Sequence, residues 1–382
     1  VGEDGQGRQY QGGLTRFLVR SDAMSADHSP YRIPVADLRA FVAEVFRATG
    51  SDSGEARIVG NHLVDANLAG HESHGVIRVS KYVDWLAKGM VIANQHAVVV
   101  RESSCNAVID GQFGYGQVIG LESMDLAIAK ARQSGLCAVA IRNAGHLGRI
   151  GAWAEQVAQA GLASVHFVNT SGFGILVAPH GGTDRRLSAN PIAAGAPGPD
   201  GASLVLDMST SAIAEGKIQV AKNRGERLPP GCTIDSEGRP NREPAVFYGP
   251  PVGALLPFGG HKGYGLSIFC EIFAGALSGG QTTHPQNATA GRLVNNMLSL
   301  VFDAESFCGA EAFSAEIGRL AAWVKASPPA VPGEEILLPG DIERRTRTRL
   351  ERDGIPLDVV TRRQIADSVR ALNVPLPQGF AA

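Results

Sequence analysis

At 382 residues, with 35 Lys and Arg against 37 Asp and Glu for a formal charge of -2, the chain is long enough for two or three structural lobes and carries no electrostatic footprint for nucleic acid or an anionic membrane. Its five cysteines, Cys105, Cys137, Cys232, Cys270 and Cys308, are odd in number, scattered and free of Cys-x-x-Cys spacing, which argues against a disulfide framework or a thiolate metal site and fits a reducing cytoplasm. No apolar run reaches membrane-spanning length, so small molecules are the expected partners, with no nucleic acid and no membrane.

Residues 1–30 are rich in Gly, Arg, Ser and Asp without a sustained period, and they read as a disordered or non-native leader with Met24 as a candidate natural start. From Val35 the pattern is helical. Leu38, Phe41, Val42, Val45 and Phe46 form one apolar stripe ending at Gly50, and Ser51 or Ser53 caps a second helix running to about Ala69. Val76, Val79, Val83 and Leu86 predict a third helix starting near Gly75. From about His96 the period changes. Residues 97–100, 107–109, 136–141, 162–168, 187–193 and 203–207 read as strands, with helices over 117–133, 150–160 and 213–224. Pro229-Pro230-Gly231 and Gly238-Arg239-Pro240 punctuate a loop-rich excursion before an apolar helix over 264–276. Residues 297–302 form a late strand, and 341–352 and 358–371 suit exposed helices.

The stretch Gly70-His71-Glu72-Ser73-His74-Gly75-Val76-Ile77-Arg78 puts an imidazole and a guanidinium four residues apart, on one face of the predicted third helix. Arg78 offers a planar fork that matches a carboxylate, and His74 titrates near neutral pH, so the pair suits an anionic carbonyl compound. A zinc site on His71-x-x-His74 lacks a third ligand nearby, and no metal is expected. The glycine-rich turn over 114–120 stands where a dinucleotide fingerprint would. Its spacing is Gly-x-Gly-x-x-x-Gly, and the next strand ends in Arg142-Asn143-Ala144 instead of the acidic residue that would bind a ribose. In Gly259-Gly260-His261-Lys262-Gly263-Tyr264-Gly265, by contrast, His261 and Lys262 precede a long helix whose N–H groups and dipole favour phosphate.

Ser73-His74-Gly75 with Arg78, Asn143-Ala144-Gly145-His146-Leu147-Gly148-Arg149, Ser188-Ala189-Asn190-Pro191, Asp207-Met208-Ser209-Thr210, Gly216-Lys217-Ile218 and Leu256-Pro257-Phe258-Gly259-Gly260-His261-Lys262-Gly263 together resemble the type 2 malate/L-lactate dehydrogenase family. Its members include ureidoglycolate dehydrogenase, diketogulonate reductase, sulfolactate dehydrogenase and piperideine carboxylate reductase. The resemblance covers residues 35–380. It implies an α/β, non-Rossmann NAD(P)-binding fold with a central, mainly antiparallel sheet and a helical lobe built from both chain ends. The expected division is 31–95 for the first part of the helical lobe, 96–330 for the cofactor-binding domain, and 331–382 for helices returning to the lobe.

The same resemblance implies that His74 gives a proton to the substrate carbonyl, with Ser73 beside it, and it makes His146 a competitor for that role. Arg78 falls on a substrate-binding position. Thr170, Asp207, Met208, Ser209, Lys217, His261 and Lys262 fall on cofactor-binding segments, and a homodimer is implied. Where the imine-reducing branch carries an Asp, this chain reads Ser211-Ala212-Ile213-Ala214-Glu215-Gly216-Lys217, which favours a 2-oxo or 2-hydroxy acid. The expected activity is interconversion of the two with NAD or NADP, Arg78 and Arg149 clamping the carboxylate and His74 acting as imidazolium in reduction. The alternatives are NADPH-dependent reduction of a cyclic imine and ligand binding without turnover.

Overall fold

In the computed structural model, which describes residues 31–287 and 291–380, the stripe of Leu38, Phe41, Val42, Val45 and Phe46 lines one face of α1 (Val35–Ala48) and packs on α2 (Ser53–Leu68). The leader expected over 1–30 lies outside the described residues. Asp52, not Ser51 or Ser53, caps α2: its Oδ1 accepts the Glu55 amide at 2.8 Å, while the Ser51 hydroxyl is spent on the Glu55 carboxylate at 2.6 Å. A shorter helix, α3 (Val79–Ala87), buries Val79, Tyr82 and Trp85 in the same core.

Beyond it the chain alternates between strands and helices. β1 (Val98–Glu102), β2 (Asn106–Asp110), α4 (Gly116–Ser134), β3 (Leu136–Ala144), α5 (Gly151–Gln159), β4 (Ala163–Ser171), β5 (Pro191–Pro197) and β6 (Ser203–Ser209) come in succession, and β7 (Val294–Phe302) arrives last. They make a mixed seven-stranded sheet in the order β1-β2-β3-β7-β4-β5-β6. β2 and β3 run parallel, joined by the α4 crossover; every other pair is antiparallel, with β7 inserted between β3 and β4. The central, mainly antiparallel sheet is therefore as expected. Side chains alternate across it. Val168 joins Trp153 and Ala154 of α5 in one apolar layer, whereas Phe167 and Asn169 point the other way, where Phe167 meets the Phe273 ring at 5.3 Å.

The remaining helices are α6 (Glu215–Arg224), α7 (Pro244–Tyr248), α8 (His261–Cys270), α9 (Ala310–Lys325), α10 (Asp341–Asp353) and α11 (Val359–Val369). Leu350, Ile365 and Val369 from the last two return to the core of α1, α2 and α3. The helix expected over 264–276 begins at His261 and widens into a π turn at Glu271–Ala276. The strand expected over 187–193 starts only at Pro191, because Leu187 bridges Val177 instead. α9 had no counterpart in the sequence reading, and it buries only Ala321.

The structure also explains the glycine turn over 114–120. A Cβ on Gly120 would stand 2.5 Å from the Trp153 ring, so this glycine lets α4 and α5 pack closely.

Candidate active site

The sequence predicts a helix from Gly75 with His74 and Arg78 on one face; the structure corrects this. Glu72–His74 and Val76–Arg78 are two separate single turns of 3-10 helix, and α3 begins only at Val79. Asn67, buried in α2, accepts the Val76 amide at 2.8 Å and pins the backbone there, with Gly75 extended between the turns. The double turn still folds Arg78 back on the segment, its Nε donating to the Ser73 carbonyl at 2.6 Å.

His74 stacks on His146, which stands in the loop after β3, with ring centroids 5.5 Å apart and planes 13° from parallel. The Ser73 Oγ lies 3.0 Å from His74 Nδ1. On the other ring, the Tyr82 hydroxyl from α3 lies 2.6 Å from His146 Nδ1. Gln117 of α4 places its Nε2 2.9 Å from that hydroxyl and 3.2 Å from the His146 carbonyl oxygen. Tyr82 and Gln117 were not among the sequence candidates. Tyr82 reads as a core aromatic; its place four residues after Arg78 is the signal that would have found it.

Burial, reinforced by Arg78, holds His74 down at about 3, and burial followed by Arg78 and His74 drives His146 well below its ordinary value. Burial pushes Tyr82 up to about 12. Both rings are therefore biased to the neutral form, and the imidazolium expected at His74 is opposed first by burial and then by Arg78. His71 has a partner in α10, its Nε2 lying 3.4 Å from the Glu343 carboxylate.

Arg149 turns inward. Only 2% exposed, it is ion-paired with Glu155, while its Nε and Nη1 meet no acceptor among the described residues, and its amide donates to His62 Nε2 at 3.1 Å. Asp207 accepts the Gly151 amide at 2.8 Å at the start of α5. Both side chains thus already have protein partners.

The cofactor candidates come from the ends of β4 and β6, from α6 and from the start of α8. The Thr170 Oγ1 accepts from Asn295 Nδ2 at 3.0 Å, and Asn295 Oδ1 accepts the Leu147 amide at 2.9 Å, so one buried amide side chain ties the His146 loop to Thr170. The Ser209 and Ser211 hydroxyls lie 2.7 Å apart, Met208 pairs with Ile192 in the sheet, and the Phe258 amide donates to the Thr210 carbonyl at 3.0 Å. Gly259 and Gly260, at φ 55 and 63, then swing the chain into α8 and leave His261 and Lys262 exposed at its start. Two left-handed glycines, a helix start and an exposed ammonium suit the phosphates of a dinucleotide. Lys217 is exposed on α6 beside Gly216, where a Cβ would come within 3.2 Å of the Ser73 Cβ. The start of α6 therefore lies against the segment that carries His74.

The malate/L-lactate dehydrogenase family model matches residues 33–366. Hydroxycarboxylate dehydrogenase B of Escherichia coli O157:H7 is 44% identical over 349 residues, covering 91% of this chain and 96% of its own length. Among solved structures, sulfolactate dehydrogenase from Methanocaldococcus jannaschii matches with a TM-score of 0.80 at 33% identity, over 90% of this chain and 98% of the other. Delta1-piperideine-2-carboxylate reductase from Pseudomonas syringae pvar. tomato matches with a TM-score of 0.78 at 29% identity, over 88% and 99%.

Proposed function

Because the chain belongs to the malate/L-lactate dehydrogenase family and is an oxidoreductase acting on hydroxy acids, we propose that it interconverts a 2-hydroxy acid and its 2-oxo acid with NAD or NADP. The observation that carries this reading is the stacked His74–His146 pair, with Arg78 folded back on Ser73 beside it. With its Nε on the Ser73 carbonyl, Arg78 presents its two Nη groups to a carboxylate as a fork. His74, neutral and hydrogen-bonded to Ser73, accepts the hydroxyl proton in oxidation. A substrate carboxylate on Arg78 offsets the charge that adds to burial in keeping His74 neutral, and so favours the ring's holding that proton and returning it in reduction. The nicotinamide, when bound, supplies or takes up the hydride. Lys262, His261 and the N-terminal end of α8 would hold its phosphates outside any doubly wound framework, and Thr170, Asp207, Met208, Ser209 and Lys217 would line its approach. Arg149, committed to Glu155, shapes the wall behind.

No described helix is long and apolar enough to cross a membrane. The five free cysteines suit the cytoplasm, and the family expectation is a homodimer. The likeness to a piperideine carboxylate reductase keeps a cyclic imine as the second reading, and Lys217 in place of an acid weighs against it. Assay of 2-oxo acids and cyclic imine carboxylates with NADH and NADPH tests the choice. Turnover of an oxo acid supports the proposal, and turnover of imines alone overturns it.

A further inference from the structure

Two hydrogen bonds around His146 have a fixed direction, and together they decide where its hydrogen sits. The His146 carbonyl oxygen can only accept, so the Gln117 atom 3.2 Å from it is the amide nitrogen, a donor. That same nitrogen lies 2.9 Å from the Tyr82 hydroxyl, which therefore accepts from it. The phenol has one hydrogen of its own, and it goes to His146 Nδ1, 2.6 Å away. Nδ1 must then present a lone pair, and a neutral imidazole in that state carries its hydrogen on Nε2. Gln117 and Tyr82 are 0% and 1% exposed, so both bonds are shielded from bulk solvent.

His74 is held differently. Its partner is the Ser73 hydroxyl, which rotates to donate or accept, so the 3.0 Å contact survives a change in the protonation of the ring. At His146 a proton on Nδ1 would face a phenol already receiving a hydrogen from Gln117. The phenol's own hydrogen would then have no acceptor among the described residues.

We propose that Gln117 and Tyr82 are positioning residues that lock His146 in its Nε2–H form, so that His146 gives the substrate oxygen a hydrogen bond while His74 alone exchanges the proton. The substrate part rests on the hydroxy-acid reading; the lock does not. In oxidation the hydroxyl proton would pass to His74 Nε2, with the Nδ1–H of His74 staying on the Ser73 oxygen, and a bound nicotinamide would be the acceptor for the hydride leaving the same carbon. Reduction reverses both transfers. His146 gains and loses no proton in either direction.

Two-bond 15N–1H correlation spectra of protein labelled with 15N-histidine test the lock without substrate, and His146→Asn assigns the signal. Wild-type His146 should be protonated at Nε2 and bare at Nδ1. Tyr82→Phe removes the hydrogen aimed at Nδ1, so the signal should shift to a mixture of tautomers, and turnover of a 2-oxo acid should fall about tenfold or more with NADH affinity unchanged. Gln117→Glu offers the phenol an acceptor and should invert the tautomer to Nδ1–H, an outcome that loss of packing does not produce. If Gln117→Glu fails to fold, Tyr82→Phe still decides. Wild-type His146 protonated at Nδ1, or a Tyr82→Phe protein with unchanged tautomer, overturns the proposal. If the tautomer shifts as stated while no oxo acid is turned over, the lock is supported and the substrate reading fails.

Discussion

The histidine corner and the turn that opens α8 are built from different materials. At the corner, side chains do the work: His74 meets Ser73 through a bond of reversible direction, and His146 meets Tyr82, which Gln117 orients. At the turn, the backbone does it, through two left-handed glycines and the positive end of a helix, with Lys262 as an added point charge. The first arrangement is suited to moving a proton at one atom. The second is suited to holding an anion and is indifferent to what happens elsewhere on it. Substitutions in the two places should therefore damage different quantities.

The largest effect is expected at His74. His74→Asn should lower turnover in reduction by about 10²-fold or more while the folded protein still binds NADH. His146→Asn, which removes only a hydrogen bond on the present reading, should cost less. Steady-state kinetics with fluorescence titration of NADH checks both, and the opposite ranking would move the proton to His146. Lys262→Ala should do the reverse of His74→Asn: affinity for NADH falls by about 1–3 kcal/mol, the scale of a charge-assisted hydrogen bond, with turnover at saturating cofactor little changed. A Lys262→Ala protein that binds NADH normally removes the turn from the cofactor site.

Much of this contrast was legible in the sequence, and the parts that were not share a cause. The apolar periods of α1, α2 and α4 and of the buried strands located those elements to within a few residues, because burial against a single core writes a period into the chain. The pairing of β7 between β3 and β4 has no local signal, since it joins residues more than 120 positions apart at Val294 and Ser171. His74, Arg78, His261 and Lys262 stood out as cations in glycine-bearing segments. Tyr82 and Gln117 did not, because a buried phenol and a buried amide look like core until their hydrogen bonds are seen. The third helix was misread for the same reason: Asn67, nine residues upstream of Val76, decides where it starts.

Arg78 gives a smaller effect that sharpens the division within the corner. Arg78→Lys keeps the charge beside His74 and loses the fork, so the KM for a 2-oxo acid should rise about tenfold with NADH affinity level and turnover less affected. A neutral ketone should show no such penalty. Equal losses for acid and ketone would mean that Arg78 holds the segment through Ser73 and does not recognise a carboxylate.

The smallest effect is a rate that should barely move with pH. For oxidation the active form has neutral His74, and in the free protein burial and Arg78 hold that ring at about 3 against an ordinary 6.5. kcat/KM for a hydroxy acid, which reports the free enzyme, should thus stay level as pH falls from about 8 to about 5, where an unperturbed histidine would already have cost more than tenfold. Stability behaves otherwise. His166, sealed between Ser164 and Ser299, is also held at about 3 by burial, as is His62, so these rings bind fewer protons folded than unfolded at intermediate pH. Their contribution is complete above about 6.5 and is lost as pH falls toward 3. Thermal midpoints should therefore drop through a pH range in which kcat/KM is flat. His166→Gln should reduce the acid sensitivity of the midpoint without touching the pH profile of the rate. A rate that instead falls along a limb centred near 6.5 would mean that His74 is not held neutral by its surroundings, and the distinction between a switchable His74 and a locked His146 would lose its footing.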